Sequence, residues 1–570
     1  MAYLLKFVLA LQGLSVFSFV IAATDGEQPR DVNFIEAQNQ TYDYIIVGGG
    51  LSGLVVANRL SEDPSKSVLV IENGYIDDGP ATSIPYMATI LNVADMYNIF
   101  SAPEPYLNNL SVRVAVGNVV GGGSVVNGMF WDRGSNADYD AWETLGNKGW
   151  GWAGLAPYFK KTNTFTPPSE STTKEYNITY DKSAYGNGPV QVTIPSFQDP
   201  DIKNIFDAFK AENISNPQEG YADPIGVFWG PNDIDNATAT RCHARVAFYD
   251  PVQSRPNLRL LTGTRVNQIL FENIQGDIIA NGIQMVSRVN GSIAKVHANR
   301  EVILAACGVF TPHLLMLSGI GPKGVLEAAN ITVVKDSPGV GSNFQDHPPL
   351  SMSFNLSNMA FPNSQSLNSN ASFNASAAAQ YAKDHTGPWS AGRGSANPID
   401  KEILSELVRY NRRRWSSPLL SHYNPVEITP GANYTTDDEI IEGALKKGAL
   451  SPTFAHPSGG CAMYHGSPSL PNSPTQRPPE PHRQRNPLRA EGALKKGALS
   501  PTFAHPSGGC AMMPEELGGV VDDELRVYGA RGLRIVDASI IPLIPATHLQ
   551  ATMYAVAEKA ADIIKARAAY

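Results

Sequence analysis

Gly48-Gly49-Gly50-Leu51-Ser52-Gly53 fits the spacing G-x-G-x-x-G, and Glu72 follows about twenty residues later. These residue types suit the grip of a dinucleotide. Gly48 permits a tight turn, and Gly50 lets backbone N–H groups approach a pyrophosphate. Leu51 and Ser52 open a helix whose positive end faces the phosphates. Gly53 lets that helix sit close on the preceding strand, and the Glu72 carboxylate can accept both hydroxyls of a ribose. The elements that must position them are legible on either side. Tyr42-Asp43-Tyr44-Ile45-Ile46-Val47 reads as a buried strand, Leu51–Ser61 as a helix and Val68-Leu69-Val70-Ile71 as a second strand. A glycine-rich turn alone would say little, but the whole βαβ unit with its acid is a specific signal.

A second glycine cluster, Gly117-Asn118-Val119-Val120-Gly121-Gly122-Gly123-Ser124, is too poor in side chains for a packed strand. It reads as a loop whose backbone approaches a ligand closely. Trp142, Trp150 and Trp152, a little further on, are expected to pack rather than react.

The chain has 570 residues, enough for two domains with sizeable cores. Its 42% hydrophobic and 17% charged content is that of a globular protein. The net charge of −9 and the lack of a regularly spaced basic face argue against a nucleic-acid partner. Residues 1–23 read as a secretory signal: Lys6 precedes an apolar stretch, and Ala22-Ala23 suits cleavage. No membrane span is expected after that cleavage. Eleven N-x-S/T sequons, from Asn39 to Asn433, agree with a secretory route and glycosylation. The spacing of Cys242, Cys307, Cys461 and Cys510 fits no zinc site, and no metal is expected. Buried free thiols and a disulfide of Cys242 both stay open.

Strands are expected at Leu258–Thr262, at Val266–Phe271, in a hairpin over Ile278–Val296 and at Glu301–Ala306, the last followed by a helix through Met316. Leu533–Asp537 reads as one more strand and Gln550–Lys565 as a closing helix. Strands of the dinucleotide unit thus return after an intervening segment, which implies a discontinuous domain. One feature has no counterpart in an ordinary repeat array. Glu442–Met463 recurs unchanged as Glu491–Met512, across a linker, 464–490, that holds seven prolines and four arginines. The linker cannot form a packed element.

With these motifs assembled, the chain resembles the glucose–methanol–choline (GMC) oxidoreductases, and within them the fungal secondary-metabolism branch. Gly117–Asp140 follows the family's first signature, including Gly121-Gly122-Gly123-Ser124 and Asn127. Ala306–Gly321 follows the second and departs from it at Cys307 and Gly308. Pro338–Gly341, Asp346-His347-Pro348 and the last sixty residues also fit. The resemblance implies bound FAD, with Gly123, Asn127, Gly128, Val266, Asp537 and Gln550 joining the glycine loop and Glu72 around it. The flavin is expected to be noncovalent, since no histidine lies between Gly117 and Asp140. Two catalytic histidines carry over by motif: His505, in His505-Pro506-Ser507-Gly508-Gly509-Cys510-Ala511-Met512, and His548. An imidazole takes the hydroxyl proton of an alcohol near neutral pH, a contribution of roughly 10²–10⁴-fold. His456 occupies the identical upstream copy, and His505 is preferred because its copy runs into the family's normal exit.

The expected fold class is α/β, a Rossmann-type FAD-binding domain built from discontinuous segments plus a smaller α+β substrate domain. The first spans 42–160 with 240–345 and 505–570, the second 161–239 with 346–441. Thr386-Gly387-Pro388-Trp389 and Glu402-Ile403-Leu404 lie almost adjacent where the family has a long run of sheet, so the substrate domain is expected to be shortened. The expected function is secreted, FAD-dependent oxidation of a small-molecule alcohol substrate, with oxygen or a quinone as acceptor. Two alternatives stand beside it: a non-redox cyclase that keeps FAD as a structural element, and an inactive or misassembled gene product.

Overall fold

The buried runs Tyr44–Val47 and Val68–Ile71 carry no charged side chain, the pattern of strands covered on both faces. They form the centre of the sheet in a computed structural model. It describes residues 34–568, apart from 89–92, 103–110, 112, 212–214, 348–352, 364, 393–407, 410, 437–438, 441–460 and 465–504. The expected signal peptide, His456 and all of the linker but Tyr464 lie outside the described residues.

Strands β1 (Thr41–Val47) and β2 (Val68–Ile71) flank helix α1 (Leu51–Leu60) in sequence. Strand β3 (Leu258–Leu261) adds parallel to β2. Then β4 (Thr264–Ile274), β5 (Asp277–Ser287) and β6 (Ile293–Leu304) run as an antiparallel meander. The end of β6 turns back into the parallel sheet beside β1, with Val47 opposite Leu304. Helix α2 (Cys307–Leu317) follows at once. Strand β7 (Leu533–Ile535) pairs parallel with the same end of β6, and helix α3 (Leu549–Ala568) closes the described chain. The sheet order is β3-β2-β1-β6-β5-β4, with β7 on β6. Three distant stretches of sequence therefore build one α/β sheet, as the strand pattern predicts.

Helix α3 packs on α1 and on the helix Trp152–Thr162. The Glu558 carboxylate, fully buried, receives Arg59 at 2.6 Å and Lys161 at 3.0 Å, tying the three helices together. Trp142 and Trp150 are fully buried, as packing residues should be. Away from the main sheet, the described residues form only two-stranded sheets. These include Asn163–Thr166 with Val190–Thr193, and Ser353–Asn355 with Val426–Thr429. Cys461–Tyr464, from the upstream copy of the duplicated motif, pairs antiparallel with Gly226–Trp229. Cys242, Cys307 and Cys510 are free thiols. No helix among the described residues is long and apolar enough to cross a membrane.

Candidate active site

The carboxyl ends of β1, β2 and β6 open onto a cavity of about 980 Å³. That position follows from topology, since a parallel sheet leaves a crevice beyond its strand ends. At one end stands Glu72, whose Oε1 accepts Gly74 N–H at 2.6 Å and Oε2 Gly49 N–H at 2.8 Å. Burial pushes this carboxyl up, and those two N–H bonds pull it back. The Asn73 N–H also bonds this carboxylate, and an ionised carboxylate has about four acceptor positions, so acceptor capacity is left for a ribose hydroxyl.

The two glycine loops meet in the middle. Gly121 N–H donates to the Gly49 carbonyl at 2.8 Å, and a Cβ on Gly122 would stand 2.8 Å from Gly50 Cα. Helix α1 begins at Leu51 behind Gly50 with no side-chain cap. Its first N–H groups therefore suit an anionic group in the cavity. Gly123 lines the cavity with open space where a Cβ would be. An uncapped helix end, bare backbone and a buried acid at the far end fit a pyrophosphate carrying a ribose.

Of the residues expected to bind the cofactor, Gly48, Gly50, Leu51, Ser52, Glu72 and Gly123 line this cavity, as do Asn127, Gly128, Val266, Asp537 and Gln550. Gly53 does not. It stands behind the wall, where a Cβ would meet the Gly48 carbonyl at 2.0 Å. Its contribution is the close fit of α1 on β1. Asp537 faces the cavity, but its oxygens are already taken. Cys307 N–H and the Thr311 hydroxyl bond Oδ2, and the Ser539 N–H and hydroxyl bond Oδ1. Four bonds fill a carboxylate, so Asp537 acts as a bolt between β7 and α2.

Asn127 and Gln550 belong to a buried polar chain that sequence reasoning did not reveal. Arg241, 2% exposed, donates to Asn127 Oδ1 at 2.6 Å and to the Asn127 carbonyl at 2.7 Å. Asn127 in turn donates through Nδ2 to Gln550 Oε1. Burial pushes Asp233 up to about 7, against the pull of the Arg241 charge.

His505 and His548 line the same cavity as Glu72, with ring centroids 5.6 Å apart. Polar contacts orient both rings. His548 Nδ1 lies 2.7 Å from Asp132 Oδ2, and Asp132 Oδ1 accepts the Thr547 hydroxyl at 2.9 Å. Phe130 stacks on the His548 ring at 4.7 Å and 2°. His505 Nδ1 lies 2.9 Å from His347 Nδ1, and His347 Nε2 lies 3.1 Å from the Pro545 carbonyl. These contacts fix the protons. A carbonyl only accepts, so His347 carries hydrogen on Nε2. Burial, with the nearby His548, pushes His347 down to about 4, so it is neutral and its Nδ1 accepts. His505 must then donate from Nδ1, which puts its basic lone pair on Nε2. A carboxylate likewise accepts, so His548 donates from Nδ1 and its basic nitrogen is also Nε2. Burial first, then His548 and His347, drives the His505 imidazole well below its ordinary value.

His347 and Asp132 are the residues that motif reading missed. Asp346-His347-Pro348 is a recognisable motif with no assigned task, and Asp132 lies unmarked between Trp131 and Arg133. Only the tertiary contacts reveal them.

Comparison with known proteins decides the family. Models of the GMC oxidoreductase family match residues 42–349 and 469–557. The chain belongs to the GMC oxidoreductases. The second matched range of this GMC oxidoreductase contains His505 and leaves out His456. Dehydrogenase xptC of Emericella nidulans is 33% identical, over 93% of this chain and 94% of its own length. That alignment runs over 643 positions, more than this chain has residues, so the relative carries segments without a counterpart here. The glucose oxidase-like protein fsoC of Humicola fuscoatra is 32% identical over 93% of this chain and 96% of its own. Among solved structures, an FAD-dependent oxidoreductase from Chaetomium thermophilum matches with a TM-score of 0.78 and 31% identity, covering 93% of this chain and all of that one. A fungal aryl-alcohol oxidase matches with a TM-score of 0.70 and 30% identity over 93% and 99%. This GMC oxidoreductase is an FAD-dependent alcohol oxidase or dehydrogenase, and the glycine loops, Glu72 and the uncapped α1 are the parts of the cavity that suit FAD.

Proposed function

We propose that this GMC oxidoreductase oxidises an alcohol on a small natural product to a carbonyl or lactone, in the secretory route of a fungus. The observation that carries the reading is that the imidazoles of His505 and His548, with ring centroids 5.6 Å apart, line the same cavity as the glycine loops and Glu72. The solved aryl-alcohol oxidase and the alcohol dehydrogenase [acceptor] of Pseudomonas putida, 29% identical, support an alcohol as substrate class. The apolar start of the chain and its sequons support the secretory route.

When bound, FAD supplies a two-electron hydride acceptor, later reoxidised by oxygen or a quinone. The chain supplies the proton acceptors and the means to exclude water. Both histidines accept through Nε2 when neutral, and Phe130 and Leu549 bring apolar surface to the same cavity wall. A cavity lined by two imidazoles that can each accept a proton suits removal of a hydroxyl proton.

The test is anaerobic addition of a panel of primary and benzylic alcohols to purified protein. Bleaching of the flavin supports the reading. Conversion of a substrate without bleaching would instead mark a cyclase, and a chain that never holds FAD would mark a misassembled product. In the same assay His505→Ala should slow bleaching at least tenfold, while His456→Ala leaves it unchanged. The reverse order would place the upstream copy in the site.

A further inference from the structure

Few of the residues that line the strand-end cavity are exposed, and those that are mark its mouth. Among the described lining residues with an ionisable side chain, only Arg265, Arg288 and His313 are exposed. The two lining carboxylates, Glu72 and Asp537, are buried. The mouth therefore carries cationic side chains and no exposed acid, on a chain whose net charge is −9.

The meander brings these groups together. Arg265 stands on β4 opposite Val286 of β5, and Arg288 follows two residues after Val286, so both arginines lie at one end of the hairpin. Arg288 Nη1 donates to the Asn73 carbonyl at 2.6 Å, and its guanidinium lies 5.3 Å from the centre of the Tyr75 ring. A carbonyl and a ring steady a guanidinium without cancelling its charge. Neither Arg265 nor Arg288 pairs with a carboxylate among the described residues. Arg245, Arg300 and Arg531 each meet one. Burial first, then the Arg265 charge, lowers the His313 imidazole, so at neutral pH that ring is uncharged and the two arginines carry the charge of the mouth.

An anion that approaches this protein meets two opposed fields. The net charge repels it, while charges that line a cleft are focused by its low-dielectric walls. Salt confines both fields to about 10 Å at 0.1 M, so close to the mouth the two arginines dominate. The pyrophosphate of FAD bears a negative charge on each phosphate. The backbone cradle that suits it, the glycine loops and the uncapped start of α1, contains neither arginine. We propose that Arg265 and Arg288 form a capture site at the cavity mouth, which draws the FAD pyrophosphate to the apoprotein before the cofactor seats. Their charges raise the association rate and leave the dissociation rate to the cradle and Glu72. Cofactor capture of this kind is independent of the alcohol that the loaded enzyme oxidises.

The test mixes full-length apoprotein with FAD in stopped flow, follows flavin fluorescence, and measures release separately by dilution. Association with the parent should slow as ionic strength rises from about 0.01 M to about 1 M, where the Debye length shrinks from about 30 Å to about 3 Å. At the low ionic strength the double variant Arg265→Gln with Arg288→Gln should load roughly tenfold more slowly, and the gap should close at high salt. Its dissociation rate should match that of the parent. Arg265→Lys with Arg288→Lys keeps both charges and should load at close to the parent rate. Arg531→Gln removes the same kind of charge from a different cleft and should load as the parent does. Equal thermal unfolding of the apoproteins confirms that the variants fold. A double glutamine variant that loads as fast as the parent at low salt overturns the proposal, as does an Arg531→Gln variant that is equally slow. A faster release with unchanged association would mean that the arginines hold the seated cofactor instead. A lysine variant as slow as the glutamine one would mean that shape, not charge, matters, and would equally overturn it.

Discussion

A Cβ added to Gly308 would stand 1.9 Å from the carbonyl oxygen of Pro506, so the first turn of α2 and the loop that carries His505 touch backbone to backbone. Nothing flexible lies between them. Gly308→Ala must therefore move Pro506, and His505 with it. The expected cost is about 1–3 kcal/mol of stability, as for overpacking elsewhere, with a slower flavin reduction than in the parent. Thermal unfolding and stopped flow check both, and an unchanged melting temperature and rate would mean that the loop yields freely.

Cys307, one residue earlier, has φ +77°, a left-handed conformation that suits glycine. Its backbone is pinned there by the 3.0 Å bond from its N–H to Asp537. The strain of such a residue is of order 1–3 kcal/mol, and glycine's greater freedom in the unfolded chain offsets part of the relief. Cys307→Gly should stabilise the protein by about 1 kcal/mol and raise its melting temperature. A lower melting temperature would show that thiol packing outweighs the strain.

Glu72 supports the site in two ways, by holding Gly49 and Gly74 and by presenting its remaining acceptor positions to the cavity. Charge-assisted hydrogen bonds to a ligand are worth roughly 1.5–3 kcal/mol, or about ten- to a hundredfold in dissociation constant. Glu72→Ala should weaken FAD binding by that factor, measured by titration of apoprotein. Equal affinity in parent and variant would remove Glu72 from the cofactor site.

His347 predicts a pH effect with a definite sign. Its folded-state value is pushed down to about 4, from an ordinary value of 6.5, first by burial. Above 6.5 the ring is neutral in both states and nothing is lost. As pH falls from about 6.5 toward 4, the unfolded chain takes up a proton that the folded chain refuses, so His347 costs progressively more stability. His347→Gln lacks that titration. The stability gap between parent and variant should therefore shift toward the variant by roughly 1–3 kcal/mol between pH 7 and pH 4, read from denaturant unfolding at each pH. A gap independent of pH would mean that His347 is open to solvent.

The FAD half of the fold was legible because its signals are local. The uninterrupted apolar runs at Tyr44–Val47 and Val68–Ile71, the glycine spacing and the acid all lie within thirty-odd residues, and each has one physical reading. The more distant lining residues, Asn127, Gly128, Val266, Asp537 and Gln550, were reached through the family resemblance instead, and Gly53 has the packing role that its place in the motif implies. The orientation of the two histidines was not. Asp132 meets His548 across 416 residues and His347 meets His505 across 158, and no periodicity or spacing encodes a pairing of that range. The Arg241–Asn127–Gln550 chain was hidden likewise, because an isolated arginine in a sequence reads as a surface residue until the fold buries it.

The place of α3 has a consequence for how the chain is made. Its apolar face, with Ala551, Val556, Ala557 and Ala560 almost fully buried, fills the space between α1 and the helix Trp152–Thr162. Glu558 is the shared counter-ion of Arg59 and Lys161. Those two cations leave the ribosome some four to five hundred residues before their carboxylate does. At about 5–20 residues per second that is an interval of roughly twenty seconds to two minutes. Throughout it, the face of α1 that α3 covers is open to other chains and to chaperones. Assembly of the FAD half must wait until α3 has been made, so loss of Leu549–Ala568 would expose the surface of α1.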